Sequence, residues 1–159
     1  MKNKIDLLRK DKWYQVKSNV IVNIINSLYI ILFLYAATSK LIEYDKSELQ
    51  MLQSPLITDF AHILVWLVPT VEIIVAILLM IEKTSLLGMY ASFTLMSAFT
   101  VYIICILNFS PSIPCSCGGI LNSLGWTEHL VFNIIFIIMS LIAIMLKIKT
   151  FEWKGRQAL

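Results

Sequence analysis

Four stretches dominated by apolar positions, separated by shorter polar segments, set the plan of the chain: residues 20–38, 60–81, 86–107 and 128–146. A helix rises about 1.5 Å per residue, so roughly 20 apolar residues cross a hydrocarbon layer of about 30 Å. The four runs are near that length, and they are apolar on every face where a surface helix would be apolar along one stripe. The first run exceeds the roughly 7–15 residues of a signal-peptide core and reads as an uncleaved first span. The pattern predicts an all-α integral membrane protein, a four-transmembrane-helix bundle. Residues 1–19 form a basic lead-in whose Trp13-Tyr14 pair suits the headgroup level, residues 20–146 the bundle, and residues 147–159 a basic tail.

Polar positions inside and between the runs refine the picture. Asn23, Asn26 and Ser27 stand at i, i+3 and i+4 and are expected to share a face turned toward other helices. Residues 39–59, rich in charge and interrupted by Ser54-Pro55, read as a polar loop. In the second run His62, Trp66, Pro69 and Glu72 recur at helical spacing and are expected along one stripe, with a kink at Pro69. Glu72 is the one acid embedded in a span, where a charge costs at least about 2.5–3.5 kcal/mol, so it must face the bundle, be protonated or pair. Glu82-Lys83-Thr84-Ser85 reads as a tight turn, and Gly88 with Ser92 as a pair of small residues favouring close helix contact. Thr127 is the expected N-cap of the fourth helix, placing His129 and Asn133 one turn apart on the same face.

Composition agrees: 58% of the 159 residues are hydrophobic and 14% charged, with a mean hydropathy of +0.80, well outside soluble averages. The net charge of +3 therefore speaks first of topology and implies no nucleic-acid partner. With four spans, 11 of the 13 basic residues fall in the two termini and the Lys83 turn, leaving Lys40 and Lys46 for the other side. Positive segments stay cytoplasmic, so the expected orientation is N-in/C-in, with the loop after the third span facing the periplasm or exterior.

That loop holds the concentrated chemistry. Cys115 and Cys117 are flanked by Pro111, Pro114, Gly118 and Gly119, a constrained turn in a compartment where disulfides persist. A Cys-x-Cys bridge needs Cα atoms within about 7 Å, and a strained one is easily reduced, which is the behaviour of a redox couple. A reactive thiol needs a proton acceptor. His129 is the first candidate, His62 the alternative, and Glu72 a candidate proton carrier within the bilayer. Cys105 lies in an apolar run and is expected to be inert. Two other readings remain open at this point. Cys115, Cys117, His129 and His62 are soft enough ligands for Cu(I) or zinc, and the Cys-x-Cys turn also suits a non-catalytic scaffold or assembly subunit.

Ser39-Lys40-Leu41 closing the first span, Pro69-x-x-Glu72, Cys115-x-Cys117-Gly118-Gly119 and Trp126-x-x-His129, in that order, resemble the MauE branch of the MauE/DoxX family. The resemblance covers roughly residues 20–146 and implies a bacterial inner-membrane protein with four helices and a redox association. Together with the cysteine pair, the first expectation is a thiol–disulfide oxidoreductase, or an accessory subunit of one, in which Cys115 and Cys117 exchange electrons with a thioredoxin-like periplasmic partner in support of maturation of an exported protein. MauE itself is linked to the disulfide-rich small subunit of methylamine dehydrogenase, and DoxX relatives include a subunit of a thiosulfate:quinone oxidoreductase. Quinone is thus a candidate electron partner, with no bound cofactor expected. The Cys-x-x-Cys and second cysteine pair of the likewise four-helix DsbB and vitamin K epoxide reductase proteins are absent here.

Overall fold

The computed structural model describes residues 2–52, 58–109 and 125–157. The described residues form helices α1 (Lys2–Ile42), α2 (Tyr44–Leu52), α3 (Ala61–Met80), α4 (Ser85–Phe109) and α5 (Trp126–Gln157), with a single 3-10 turn, Thr58–Phe60, before α3. Four segments are long and apolar enough to cross a membrane: Trp13–Ile42, Thr58–Met80, Ser85–Asn108 and Thr127–Phe151. Only 22–33% of their most apolar windows is buried in the bundle. The remaining faces carry exposed Ile63, Ile74, Val101, Leu141 and Met145, side chains that suit lipid and would be costly in water.

The helices form a ring in which α1 packs on α3 and α5, and α4 on α3 and α5. The seam follows helical periodicity. Val22, Ile25, Tyr29 and Phe33 of α1 meet Val75, Ala76 and Leu79 of α3, Met89 and Met96 of α4, and Ala143 and Ile144 of α5. Tyr29 fixes the α1–α5 contact, its hydroxyl donating to the Phe136 carbonyl at 2.6 Å while its ring meets Phe136 edge-on, with centroids 5.2 Å apart. At the other side of α1, Asn26 Nδ2 donates to Ser85 Oγ at 2.8 Å.

The turn from α3 to α4 is tight because Thr84 closes it, its hydroxyl donating to the Leu78 carbonyl at 2.9 Å. Gly88 then lets α4 lie directly on α3: a Cβ there would stand 3.0 Å from both the Leu79 nitrogen and Leu79 Cδ2. Ser92, one turn on, is fully buried and returns its hydroxyl to the Gly88 carbonyl, so the expected small-residue contact is made.

Several expectations from the sequence change. Residues 39–52 do not form a loop: α1 continues to Ile42, and after a break at Glu43 the chain re-enters a helix, α2, that packs on α3. Ser47 is buried there, and Tyr44 lies against Trp66 with ring centroids 5.3 Å apart. Of the three polar residues on α1 only Asn26 faces the bundle, whereas Asn23 and Ser27 are exposed. The i, i+3, i+4 set spans about 100° of the helix, and the core line through Val22, Ile25 and Tyr29 covers only part of that arc. The stripe on α3 divides likewise. Trp66 is 57% exposed while Pro69 and Glu72 are buried, because successive three-residue steps each rotate about 60° away from the starting face. Helix α3 runs through Pro69 unbroken. Thr127 lies inside α5, and the first-turn bond is made to the Gly125 carbonyl by His129 N–H at 3.0 Å.

A buried ion pair and cavity between α1, α3, α4 and α5

Phe33, Ala37 and Lys40 follow one another at four- and three-residue steps, so Lys40 continues the buried seam of α1 into its last turn. Its long stem reaches inward to α3. Lys40 Nζ lies 2.7 Å from Glu72 Oε1, with 18% of the lysine side chain and 1% of the carboxylate side chain exposed. A buried charge of either sign is expensive alone, and the pair answers the cost of both.

The pair borders a partly open cavity of about 250 Å³ lined by residues of α1, α3, α4 and α5 and by Met51 of α2. Its walls are chiefly apolar and aromatic and include Phe33, Phe99 and Phe132. From α5, His129 and Asn133 both line it, one turn apart. The polar atoms here share a property. Glu72 Oε2, both ring nitrogens of His129 and Asn133 Nδ2 are buried with no hydrogen-bond partner among the described residues. Each such group left unsatisfied costs about 1–3 kcal/mol. Four such atoms around one space make it the candidate site.

Of the residues proposed from sequence, Glu72 and His129 are thus brought into one cavity, with Lys40 and Asn133 as additional members. By its charge Lys40 reads as part of a loop. Its seven-residue separation from Phe33, together with a lone acid in the second span, was the signal that pointed inward. His62 is elsewhere, its side chain 74% exposed and Nδ1 2.6 Å from Glu48 Oε1 of α2. Cys115 and Cys117 lie outside the described residues. Cys105, on α4, is a free thiol and does not line the cavity. Among the described residues no three of His, Cys, Asp and Glu gather to hold a metal ion.

Neither curated proteins nor solved structures give a match to this chain. The family described as "Methylamine utilisation protein MauE" matches residues 18–146, which takes in most or all of each of the four candidate spans, the Lys40–Glu72 pair, Cys115 and Cys117, and His129 with Asn133. This multi-pass membrane protein belongs to the MauE family.

Proposed function

We propose that the protein is a redox-associated protein of the bacterial inner membrane that exchanges disulfides through Cys115 and Cys117 with a thioredoxin-like partner, supporting maturation of exported proteins. The observation that carries this reading is the family match across residues 18–146, because the segment it covers contains two cysteines separated by one residue between Pro114 and Gly118. The basic residues of the termini and of the α3–α4 turn favour a cytoplasmic location for that end of the bundle. Residues 110–124 join α4 to α5 at the opposite end, in an oxidising compartment. Methylamine utilisation, from which the family takes its name, is one setting for such an activity.

In the exchange, one thiolate attacks a sulfur of the partner's disulfide, forming a mixed disulfide and releasing the partner's other sulfur as thiolate. The second cysteine then displaces the partner. The net result is a Cys115–Cys117 disulfide and a partner dithiol, or the reverse transfer. His129, at the start of α5, is the group assigned to hold the proton.

The experiment uses intact cells carrying the Cys105→Ala variant and a membrane-impermeant maleimide. Cys115 and Cys117 should be labelled only after treatment with reductant. Labelling that requires permeabilisation of the inner membrane would place the thiols in the cytoplasm and remove the oxidising compartment on which the reading depends.

A further inference from the structure

We infer that the outward face of α1 is the contact surface for a second copy of this chain, in a parallel pair of α1 helices centred on Asn23 and Ser27. The inference goes beyond thiol exchange and does not depend on it.

The face is set by helical phase. Val16, Val20, Asn23, Ser27, Ile31 and Leu34 follow one another at steps of three and four residues and all are exposed, on the side of α1 opposite the buried Val22, Ile25, Tyr29 and Phe33. Asn23 and Ser27 lie within about 7 Å of the midpoint of the Trp13–Ile42 span, so this side of α1 presents an amide and a hydroxyl to hydrocarbon. Exposed hydroxyls elsewhere in the spans close within their own helix: those of Thr38, Thr70 and Thr94 donate to the carbonyls of Leu34, Trp66 and Tyr90. Asn23 and Ser27 make no such bond among the described residues, and lipid tails offer none.

The surroundings of the two residues have the shape of a helix-packing site. A shallow recess on this face is lined by Val20, Asn23, Ile24, Ser27 and Leu28. The first four stand at i, i+3, i+4 and i+7, the corners of a hole that receives a side chain from a facing helix. A second copy supplies that helix. Copies inserted in one orientation are related by an axis along the membrane normal, so a two-fold pair brings Asn23 opposite its own counterpart. An amide carries both donors and an acceptor and is there its own complement, each carbonyl accepting from the NH2 group of the other copy. Val16, Val20, Ile31 and Leu34 give the pair apolar packing on either side of this contact. A different membrane protein would have to present a matching polar group at the same depth, whereas the symmetric pair draws it from this sequence alone.

The test uses the full chain carrying Cys105→Ala, Cys115→Ser and Cys117→Ser, so that introduced thiols are the only ones present and disulfide exchange plays no part in the result. In native membranes, oxidation should join copies bearing Val16→Cys, Val20→Cys, Ser27→Cys or Leu34→Cys into dimers several-fold faster than copies bearing Ile21→Cys on α1 or Val101→Cys on α4, which are exposed away from the seam. In liposomes, energy transfer between copies labelled at a cysteine appended after Leu159 is followed as the protein is diluted in lipid. It should report a dimer that Asn23→Leu weakens about tenfold and that Ser27→Trp, which fills the recess, abolishes. Ile21→Trp, equally bulky and also exposed, should leave the dimer unchanged and controls for loss of folding. Cross-linking no faster on the seam than at the two control positions, a monomer at every protein-to-lipid ratio, or a dimer insensitive to both Asn23→Leu and Ser27→Trp would overturn the inference and leave this face to lipid or to a different membrane helix.

Discussion

Lys40 and Glu72 are 32 residues apart in sequence and 2.7 Å apart in space, and their contact ties the last turn of α1 to the middle of α3 inside an apolar bundle. Glu72 lines the cavity, and its second oxygen is buried without a hydrogen-bond partner among the described residues. The same pair therefore holds two helices together and polarises the space between them.

Breaking the pair from one side leaves a buried charge, and Lys40→Met or Glu72→Leu alone should cost about 3–5 kcal/mol. The combined Lys40→Met/Glu72→Leu variant should be less destabilised than either single change, because it leaves no stranded charge. Denaturant unfolding in mild detergent measures all three. Strictly additive losses would show that the two residues are not energetically coupled. Glu72→Gln also removes the counter-charge of Lys40 but keeps an oxygen that accepts from its Nζ, so it should cost less than Glu72→Leu. If the carboxylate carries a proton in the working cycle, function compared at matched protein abundance is lost in this variant.

Gly88 is a packing position. Its would-be Cβ meets the Leu79 backbone nitrogen at 3.0 Å and the Leu78 carbonyl carbon at 3.1 Å, so backbone and not a flexible side-chain tip must yield. Gly88→Val should destabilise the bundle by about 1–3 kcal/mol, whereas Ala98→Val on the exposed side of α4 should be nearly neutral. Thermal unfolding of the two variants side by side checks the contrast.

The two histidines should behave differently. His62→Ala removes a side chain that is 74% exposed and paired with Glu48 of α2, and should change stability by less than about 0.5 kcal/mol and leave disulfide exchange intact. His129→Phe should keep the fold and slow exchange. Stopped-flow measurement of thiol–disulfide exchange with the purified variants decides it; equal rates would remove His129 from the chemistry.

The four spans were legible because length and all-round apolarity are set by the bilayer and owe nothing to tertiary detail. Helix α2 was not. Its nine residues include Asp45, Lys46 and Glu48, a composition that reads as loop, and contacts with α3 through Tyr44 and Glu48 hold it as a helix. The shared face of His129 and Asn133 followed directly from their spacing. Lys40 was hidden because charge ended the first span on paper at residue 38, although the phase of the seam through Tyr29 and Phe33 carries on to residue 40. The inward positions on α3 were blurred for a related reason: residues three and four apart are neighbours, but a run of such steps in one direction walks around the helix.

Disulfide exchange at Cys115 and Cys117 is tested most directly by trapping. Cys115→Ser and Cys117→Ser are expressed singly, cells are quenched in acid, thiols are alkylated, and complexes are resolved without reductant and identified by mass spectrometry. At least one variant should accumulate a mixed disulfide with a thioredoxin-like protein, released by reductant and absent from the double variant. No mixed disulfide from either single variant, together with wild-type maturation of exported disulfide proteins in the double variant, would contradict the account.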